Sequence, residues 1–190
     1  MRKFPGIFIA LAVVVAIAVF WKRETPRMDA PSVLAQVRRL NQLATVKYTI
    51  QKVIALTEQK QPVGSESILL IVQASVQAGI DLAGLRTEDI MVHRDGTVVV
   101  RLPAAKILTV SIDEKETKVW DRRKTWWTPW VDYSLDLEQR ARLSGMAAAS
   151  QAAIDMGILT HAQQNAETSI RGLLELAGVK SVQVIPANVS

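Results

Sequence analysis

The sequence predicts an α+β protein with an N-terminal transmembrane helix, an antiparallel or mixed sheet of about five to six strands, and two C-terminal helices packed on that sheet. Three observations lead to this prediction. Residues 4–21 carry no charge, residues 44–121 contain runs that alternate between apolar and polar side chains, and apolar residues recur every three or four positions after residue 136. Because the strands precede the helices instead of alternating with them, the order favours α+β over a doubly wound sheet.

The composition excludes several classes of protein. Of the 190 residues, 49% are hydrophobic and 22% are charged, which is too apolar for a disordered chain. The sequence has no cysteine, so disulfide scaffolds, thiolate zinc sites and cysteine nucleophiles are excluded. The first 27 residues contain five basic side chains and one acidic side chain, and therefore carry +4 of the net charge of +5. The remainder is almost neutral, which argues against nucleic acid as a partner.

The charge-free run from Phe4 to Trp21 predicts a transmembrane helix. At 1.5 Å per residue it would be about 27 Å long, close to the roughly 30 Å of a bilayer core. Trp21 is placed for the membrane interface, and Lys22 and Arg23 for contact with lipid headgroups. The alternative is a cleaved signal peptide, for which the AIA sequence at 16–18 has the required small-x-small form. Since the apolar run continues past that site, we favour an uncleaved, single-pass anchor in the cell membrane, with the domain on the extracytoplasmic side.

The chain is predicted to divide into three parts. Residues 1–27 form the anchor with its basic flank, residues 28–42 a juxtamembrane helix, and residues 43–190 the α+β domain. Ser32 is placed to cap the juxtamembrane helix, which we interpret as a stalk. Its apolar residues at helical spacing are Val33, Leu34, Val37 and Leu40.

Strands are predicted from residue 44 onwards. The apolar run 68–76 is typical of a central strand, and a polar loop at 57–66 precedes it. Asp95 and Gly96 stand between two apolar runs and are the strongest hairpin signal in the chain. We therefore predict a hairpin of strands 90–93 and 97–102, and a second hairpin of strands 107–112 and 117–121 around the turn 113–116.

Two helices and a final strand complete the prediction. The stretch from Asp136 to Gln139 has the pattern of a capping box, and the helix it begins should end near Met156, with Gly157 in a left-handed conformation after it. Residues 143–154 carry no charge and are mostly small, so we expect this helix to be buried on most sides. An amphipathic helix follows and ends at Gly178, before a strand at 181–185.

Catalytic motifs are absent from the sequence. It has no nucleophile elbow, no phosphate-binding loop and no dinucleotide-binding glycines. With only His93 and His161 and no cysteine, we predict no metal site and no cofactor. Asp81 has two interpretations. It caps the turn before Leu85, where Gly79 permits an unusual backbone angle, or it serves, like His93, a membrane-anchored hydrolase with a Ser or Thr partner. We favour the structural role and assign no catalytic residue, so a binding or assembly module is preferred over an enzyme.

The segment Trp120 to Tyr133, WDRRKTWWTPWVDY, contains four of the five tryptophans beside three basic residues. We call it the aromatic–basic segment. It fits three roles: aromatic packing on the sheet, a membrane-interface patch, or a hot spot for a protein partner. The candidate interaction patch consists of Arg122, Arg123, Lys124, Trp126, Trp127 and Trp130.

The order of these elements resembles a family of bacterial membrane-anchored proteins known as "domain of unknown function forty-two-thirty". The likeness covers residues 43–186, and its most specific motifs are AGIDL at 78–82, with Gly79 and Asp81, and the pair Leu102-Pro103. The resemblance implies a single-pass envelope protein with an α+β domain and no assigned activity. The expected partners are the lipid bilayer and either an unknown protein or a second copy of the chain.

Overall fold

The structure is a computed structural model that describes residues 29–61, 63–125 and 132–186. Within them the chain forms an α+β fold with three α-helices and seven strands in two sheets. In chain order the elements are α1 (Ala30–Arg38), β1 (Gln42–Gln59), β2 (Ser65–Asp81), β3 (Ile90–Val92), β4 (Thr97–Leu102), β5 (Lys106–Ile112), β6 (Lys118–Lys124), α2 (Leu135–Asp155), α3 (Ile158–Leu176) and β7 (Ser181–Pro186).

The larger sheet, which we call the long sheet, is built on β2. This strand pairs antiparallel with β1 along one side, in register from Gln42 opposite Asp81 to Gln59 opposite Ser65, with a bulge at Thr45. Along its other side β2 pairs first with β5 and then with β6, both antiparallel. Every second side chain of β2 is buried, because the helices cover only one face of the long sheet. β1 and β2 extend from either side into the loop that the sequence predicts at 57–66.

The predicted hairpin of β5 and β6 is wrong. The two strands do not pair with each other, and lie end to end along β2. Between β5 and β6 the chain makes two hydrogen bonds to the same residue of β2, Gln73. The Asp113 N–H donates to the Gln73 carbonyl at 2.8 Å, and the Gln73 N–H donates to Thr117 Oγ1 at 3.2 Å. Within the turn, the Asp113 carboxylate accepts the Lys115 N–H at 3.0 Å. The acidic turn at 113–116 therefore separates β5 from β6, which pair with the same side of β2.

The second sheet consists of three short strands. The structure confirms the hairpin of β3 and β4, with Gly96 at φ +87° in its turn. The predicted final strand is also confirmed, as β7, and it pairs parallel with β4 from Thr97 opposite Ser181 to Leu102 opposite Pro186. The expectation of one sheet with five to six strands therefore becomes seven strands in two sheets, because the C-terminal strand joins the hairpin and not the long sheet.

Helix α2 lies with one face on the long sheet. Its buried positions recur every fourth residue, and at one of them, Gly145, an added Cβ would lie only 2.7 Å from Val72 Cγ2. The opposite face is open, and Leu143 there is 57% exposed. The prediction that this helix is buried on most sides is therefore wrong, because small residues occur on both faces. The buried positions are Leu137, Ala141, Gly145, Ala149 and Ala153.

The helix ends follow turn chemistry with small shifts from the predicted positions. Helix α2 begins after Ser134, so Asp136 lies in its first turn and is not the cap. Gly157 at φ +81° separates α2 from α3, as the sequence predicts. Helix α1 is capped by Asp29, whose carboxylate accepts the Ser32 N–H at 3.2 Å. Ser32, the predicted cap, therefore donates to the cap and is not the cap itself.

Helix α1 packs into the main core cluster. Val33 and Val37 have no exposed surface and lie among side chains from the end of β2, the second sheet and α3. Within the described residues no helix is long and apolar enough to cross a bilayer. The predicted span from Phe4 to Trp21 lies outside those residues.

Candidate functional site

A fully buried carboxylate, Glu66, is the centre of the most highly connected polar cluster. It lies on the helix-covered side of β2, near the end of the long sheet furthest from α1. Oε1 accepts from Arg122 Nε at 2.8 Å and Nη2 at 2.7 Å. Oε2 accepts the Ser134 N–H at 2.8 Å and lies 3.1 Å from Lys60 Nζ. Both carboxylate oxygens are therefore occupied by donors from three separate parts of the chain.

These donors decide the charge state of Glu66. Burial by itself raises the pKa of the carboxyl group, because a buried charge loses its hydration. Hydrogen bonds from the Ser134 N–H, Arg122 and Lys60 outweigh this effect and hold the pKa below its ordinary value. Glu66 is therefore an anion at neutral pH, and two cations compensate its charge.

The Glu66 cluster holds both ends of the aromatic–basic segment. On the β6 side, Thr125 donates its N–H to the Ser65 carbonyl at 3.0 Å, and its Oγ1 accepts the Ser65 N–H at 2.8 Å. On the α2 side, the Ser134 carbonyl accepts from Arg122 Nη2 at 2.6 Å. Arg122 also lies 4.7 Å above the Tyr133 ring centre, within the range of a cation–π contact. One buried ion network thus fixes where the segment leaves the sheet and where it enters α2.

The basic residues of the candidate patch have different surroundings. Arg122 points into the Glu66 cluster and is not free to contact a partner. The Arg123 side chain is 79% exposed and pairs with Asp121 at 2.6 Å. Lys124 lies 4.9 Å above the Tyr133 ring. Trp120, at an irregularity where β6 pairs with β2, is 71% exposed.

Several candidate residues fall outside the described part of the chain. They are the patch residues Trp126, Trp127 and Trp130 and the predicted membrane residues Phe4, Trp21, Lys22 and Arg23. Their assignments stay predictions from the sequence.

The motif residues Gly79 and Asp81 lie at the α1 end of β2. Gly79 does not have a positive φ, so the predicted unusual backbone angle is wrong. It is required instead by close packing, because an added Cβ would lie 2.0 Å from the Leu43 carbonyl oxygen. Asp81 Oδ1 accepts the Ala83 N–H at 3.1 Å and caps a 3₁₀ turn, and Oδ2 lies 2.8 Å from Lys106 Nζ. The Lys106 hydrogen bond is the main reason that the pKa of Asp81 is lowered.

The motif pair Leu102-Pro103 stands where β4 ends. Leu102 is fully buried in the main core cluster, and Pro103 lines an open depression with Arg86 and Arg101. Leu102 is thus the last residue of β4 and part of the core, and Pro103 follows the strand at the surface.

The two histidines lie on different parts of the fold. His93 precedes the turn between β3 and β4, where its N–H donates to the Thr97 carbonyl at 2.8 Å. His161 on α3 shares a hydrogen bond with Tyr48, with 2.6 Å between Nδ1 and the phenol oxygen, and so ties α3 to β1. The described residues contain no group of three or more His, Asp or Glu side chains that could hold a metal ion.

Glu66 was not predicted from the sequence, although a signal was present. It stands two residues before Ile68, so extending the alternation of β2 backwards places it on the inward face. The surrounding polar letters EQKQPVGSE indicate a loop and hide that position.

Comparison with known proteins gives one match. The family described as protein of unknown function (DUF4230) matches residues 35–184, from within α1 to within β7. No curated protein and no solved structure matches the chain. Since the match spans most of the sequence and nearly all of the described fold, this chain belongs to the DUF4230 family.

Proposed function

We propose that this chain is a single-pass membrane protein of the cell envelope whose α+β domain acts as a binding or assembly module. The observation that carries the proposal is the uncharged run from Phe4 to Trp21, which is long enough for a bilayer core. Charged residues follow the run directly at Lys22 and Arg23, as expected at a membrane interface. We place the domain on the extracytoplasmic side, since the basic N-terminus followed by an apolar run has the character of an export signal.

The position of α1 supports a close association between the domain and the bilayer. Only residues 22–28 separate the predicted span from Asp29, which caps the core-packed helix. Seven residues reach at most about 25 Å even when they are fully extended. A domain tethered in this way stays next to the membrane surface.

The aromatic–basic segment is the second membrane contact that we propose. Glu66 and Asp81 lie near opposite ends of β2, which places the Glu66 end roughly 50 Å from the α1 end at about 3.3 Å per residue. Tryptophan prefers the bilayer interface, and each basic residue near anionic lipid contributes about 1 kcal/mol. With the anchor at one end and the aromatic–basic segment at the other, the long sheet lies along the membrane.

Alkaline carbonate extraction tests the anchor. We expect the full-length chain to stay in the membrane pellet and a variant with Val13→Arg and Val14→Arg to be released. Each central arginine costs about 2.5–3.5 kcal/mol of insertion free energy. The matched control replaces the same two residues with leucine. Release of the unmodified chain, or a mature protein that begins after Ala18, would refute the proposal.

Flotation with liposomes tests the second contact. The variant with Val13→Arg and Val14→Arg should bind vesicles that contain about 30% anionic lipid. Replacing Trp126, Trp127 and Trp130 with alanine in that variant should reduce the binding at least tenfold. An unchanged thermal unfolding temperature controls for folding. Undiminished flotation of the triple variant would mean that the segment packs on the sheet or contacts a protein instead of lipid. A thiol reagent that does not cross membranes, applied to intact cells carrying Thr109→Cys, reports the side on which the domain lies.

A further inference from the structure

Strand β1 leaves one side of the long sheet open. It pairs with β2 along its full length, and in the described part of the chain no strand pairs with its other side. β1 has 18 residues, whereas most strands have about five or six. From Val46 to Gln59 it contains no proline and no bulge, two of the devices that prevent edge pairing, and its charged residues are Lys47, Lys52 and Glu58. The open side therefore offers a long row of backbone donors and acceptors for another strand.

We propose that β1 pairs antiparallel with β1 of a second copy of this chain, with Val53 on the two-fold axis. The inference rests on the proposed function, for which it names the partner. Val53 lies near the middle of the regular part of the strand and is 62% exposed, a large apolar side chain without cover. A copy of Val53 directly opposite would remove that apolar surface from water.

The faces of the sheet limit the possible registers, charge argues against some of them, and the exposed Val53 selects the one that we propose. Residues directly opposite each other in an antiparallel pair lie on the same face, so a symmetric pairing has one residue on the axis. With Lys52 on the axis, two like charges would meet. With Val53 there, every charged residue of the strand meets an uncharged one. The opposed pairs are then Lys47 with Gln59, Lys52 with Ile54, and Glu58 with Tyr48.

This pairing would supply about as many hydrogen bonds as an ordinary protein–protein interface. Residues 47–59 of each copy would form about a dozen backbone hydrogen bonds, compared with roughly ten in an ordinary protein–protein interface. The two-fold axis is perpendicular to the joined sheet, so both copies present the same face to one side. Two chains anchored in one bilayer can meet in this way when the long sheet lies along the membrane. Confinement to the membrane also raises the effective concentration of the partner.

Because the chain has no cysteine, introduced cysteines report the pairing directly. In Val53→Cys the two Cβ atoms would lie about 4.5–5.5 Å apart, close enough for a disulfide after a small adjustment. We expect mild oxidation of native membranes with full-length protein to convert most of this variant to a disulfide-linked dimer. The matched control is Thr109→Cys, an exposed position on the same face but on β5. Equal dimer yield from the two variants would overturn the proposal.

A second pair of positions tests the register. Thr49 of one copy faces Thr57 of the other, so neither Thr49→Cys nor Thr57→Cys alone should cross-link. The two variants expressed together with different tags should give a mixed dimer at least fivefold above either alone. Cross-linking of Thr49→Cys by itself would contradict the register. The cross-link and the carbonate extraction test different claims. If carbonate releases the protein and Val53→Cys still forms dimers, the edge pairing is supported and the membrane span is refuted. A failure of the dimer proposal can therefore be told apart from a failure of the proposed membrane anchor.

Discussion

Replacing Glu66 with glutamine keeps the shape of the side chain and removes the charge on which Arg122 and Lys60 converge. The removal of one partner from a buried ion pair costs about 3–5 kcal/mol, because the other charge stays desolvated. The Arg122 side chain is 25% exposed and that of Lys60 is 16% exposed, so water compensates part of this cost. We therefore expect a loss of about 2–4 kcal/mol in the free energy of unfolding.

Thermal unfolding of the full-length protein in detergent, followed by circular dichroism, measures this loss. For a chain of this size 1 kcal/mol lowers Tm by about 2–4 °C, so Glu66→Gln should unfold roughly 5–15 °C below the unmodified protein. The matched control is Glu88→Gln, which changes an exposed acid in a turn and should shift Tm by less than about 2 °C. A shift as small as the control's would show that the Glu66 cluster does not stabilise the fold.

The same variant has a predicted pH dependence. Because the folded-state pKa of Glu66 is lowered, its ionisation stabilises the fold above the ordinary glutamate pKa of about 4.3. That stability is lost as the pH falls through the folded value. The difference in Tm between the unmodified protein and Glu66→Gln should therefore be largest at pH 7 and smaller below about pH 4. A gap that does not change with pH would assign the effect to packing instead of charge.

Two glycine substitutions test the close contacts of β2. Gly79→Ala places a Cβ against a backbone oxygen of Leu43, which cannot move without its strand, so we expect a loss of about 3 kcal/mol in thermal unfolding. Gly84→Ala, where nothing lies within 4 Å of the added Cβ, is the control and should change Tm by less than about 2 °C. Gly145→Ala should cost about 1–3 kcal/mol through Val72, and adding Val72→Ala should recover part of that loss. Additive costs in the double variant would rule out a steric origin.

The parts of the fold that could be predicted from the sequence depend on local chemistry. Asp95 and Gly96 specify the hairpin of β3 and β4 within four residues, and Gly157 and Gly178 mark helix ends by their positive φ. The family likeness was also visible in the AGIDL motif, where the structure shows a close strand contact at Gly79 and a cap at Asp81.

The parts that could not be predicted depend on pairing between distant residues. β6 has an apolar and charged pattern that is compatible with a hairpin partner, but β2 offers it a longer edge. The parallel pairing of Thr97 with Ser181 leaves no local signal, since two helices separate the strands. The partners of Glu66 were missed for the same reason: Arg122 and Ser134 come later in the chain, and nothing beside Glu66 in the sequence predicts them.

The shared core of α1 and the C-terminal elements links the two ends of the chain in folding. Val33 of α1 lies in one cluster with Ile170 of α3 and Val179 just before β7, so these contacts have a very long sequence separation. Closing the long loop between them costs chain entropy, which slows folding. A chain that stops before Val179 would lack β7 and the Val179 side chain, so the cluster that contains α1 would lose its C-terminal part. A premature stop near the C-terminus would therefore expose apolar surface in a core cluster that also contains the N-terminal helix.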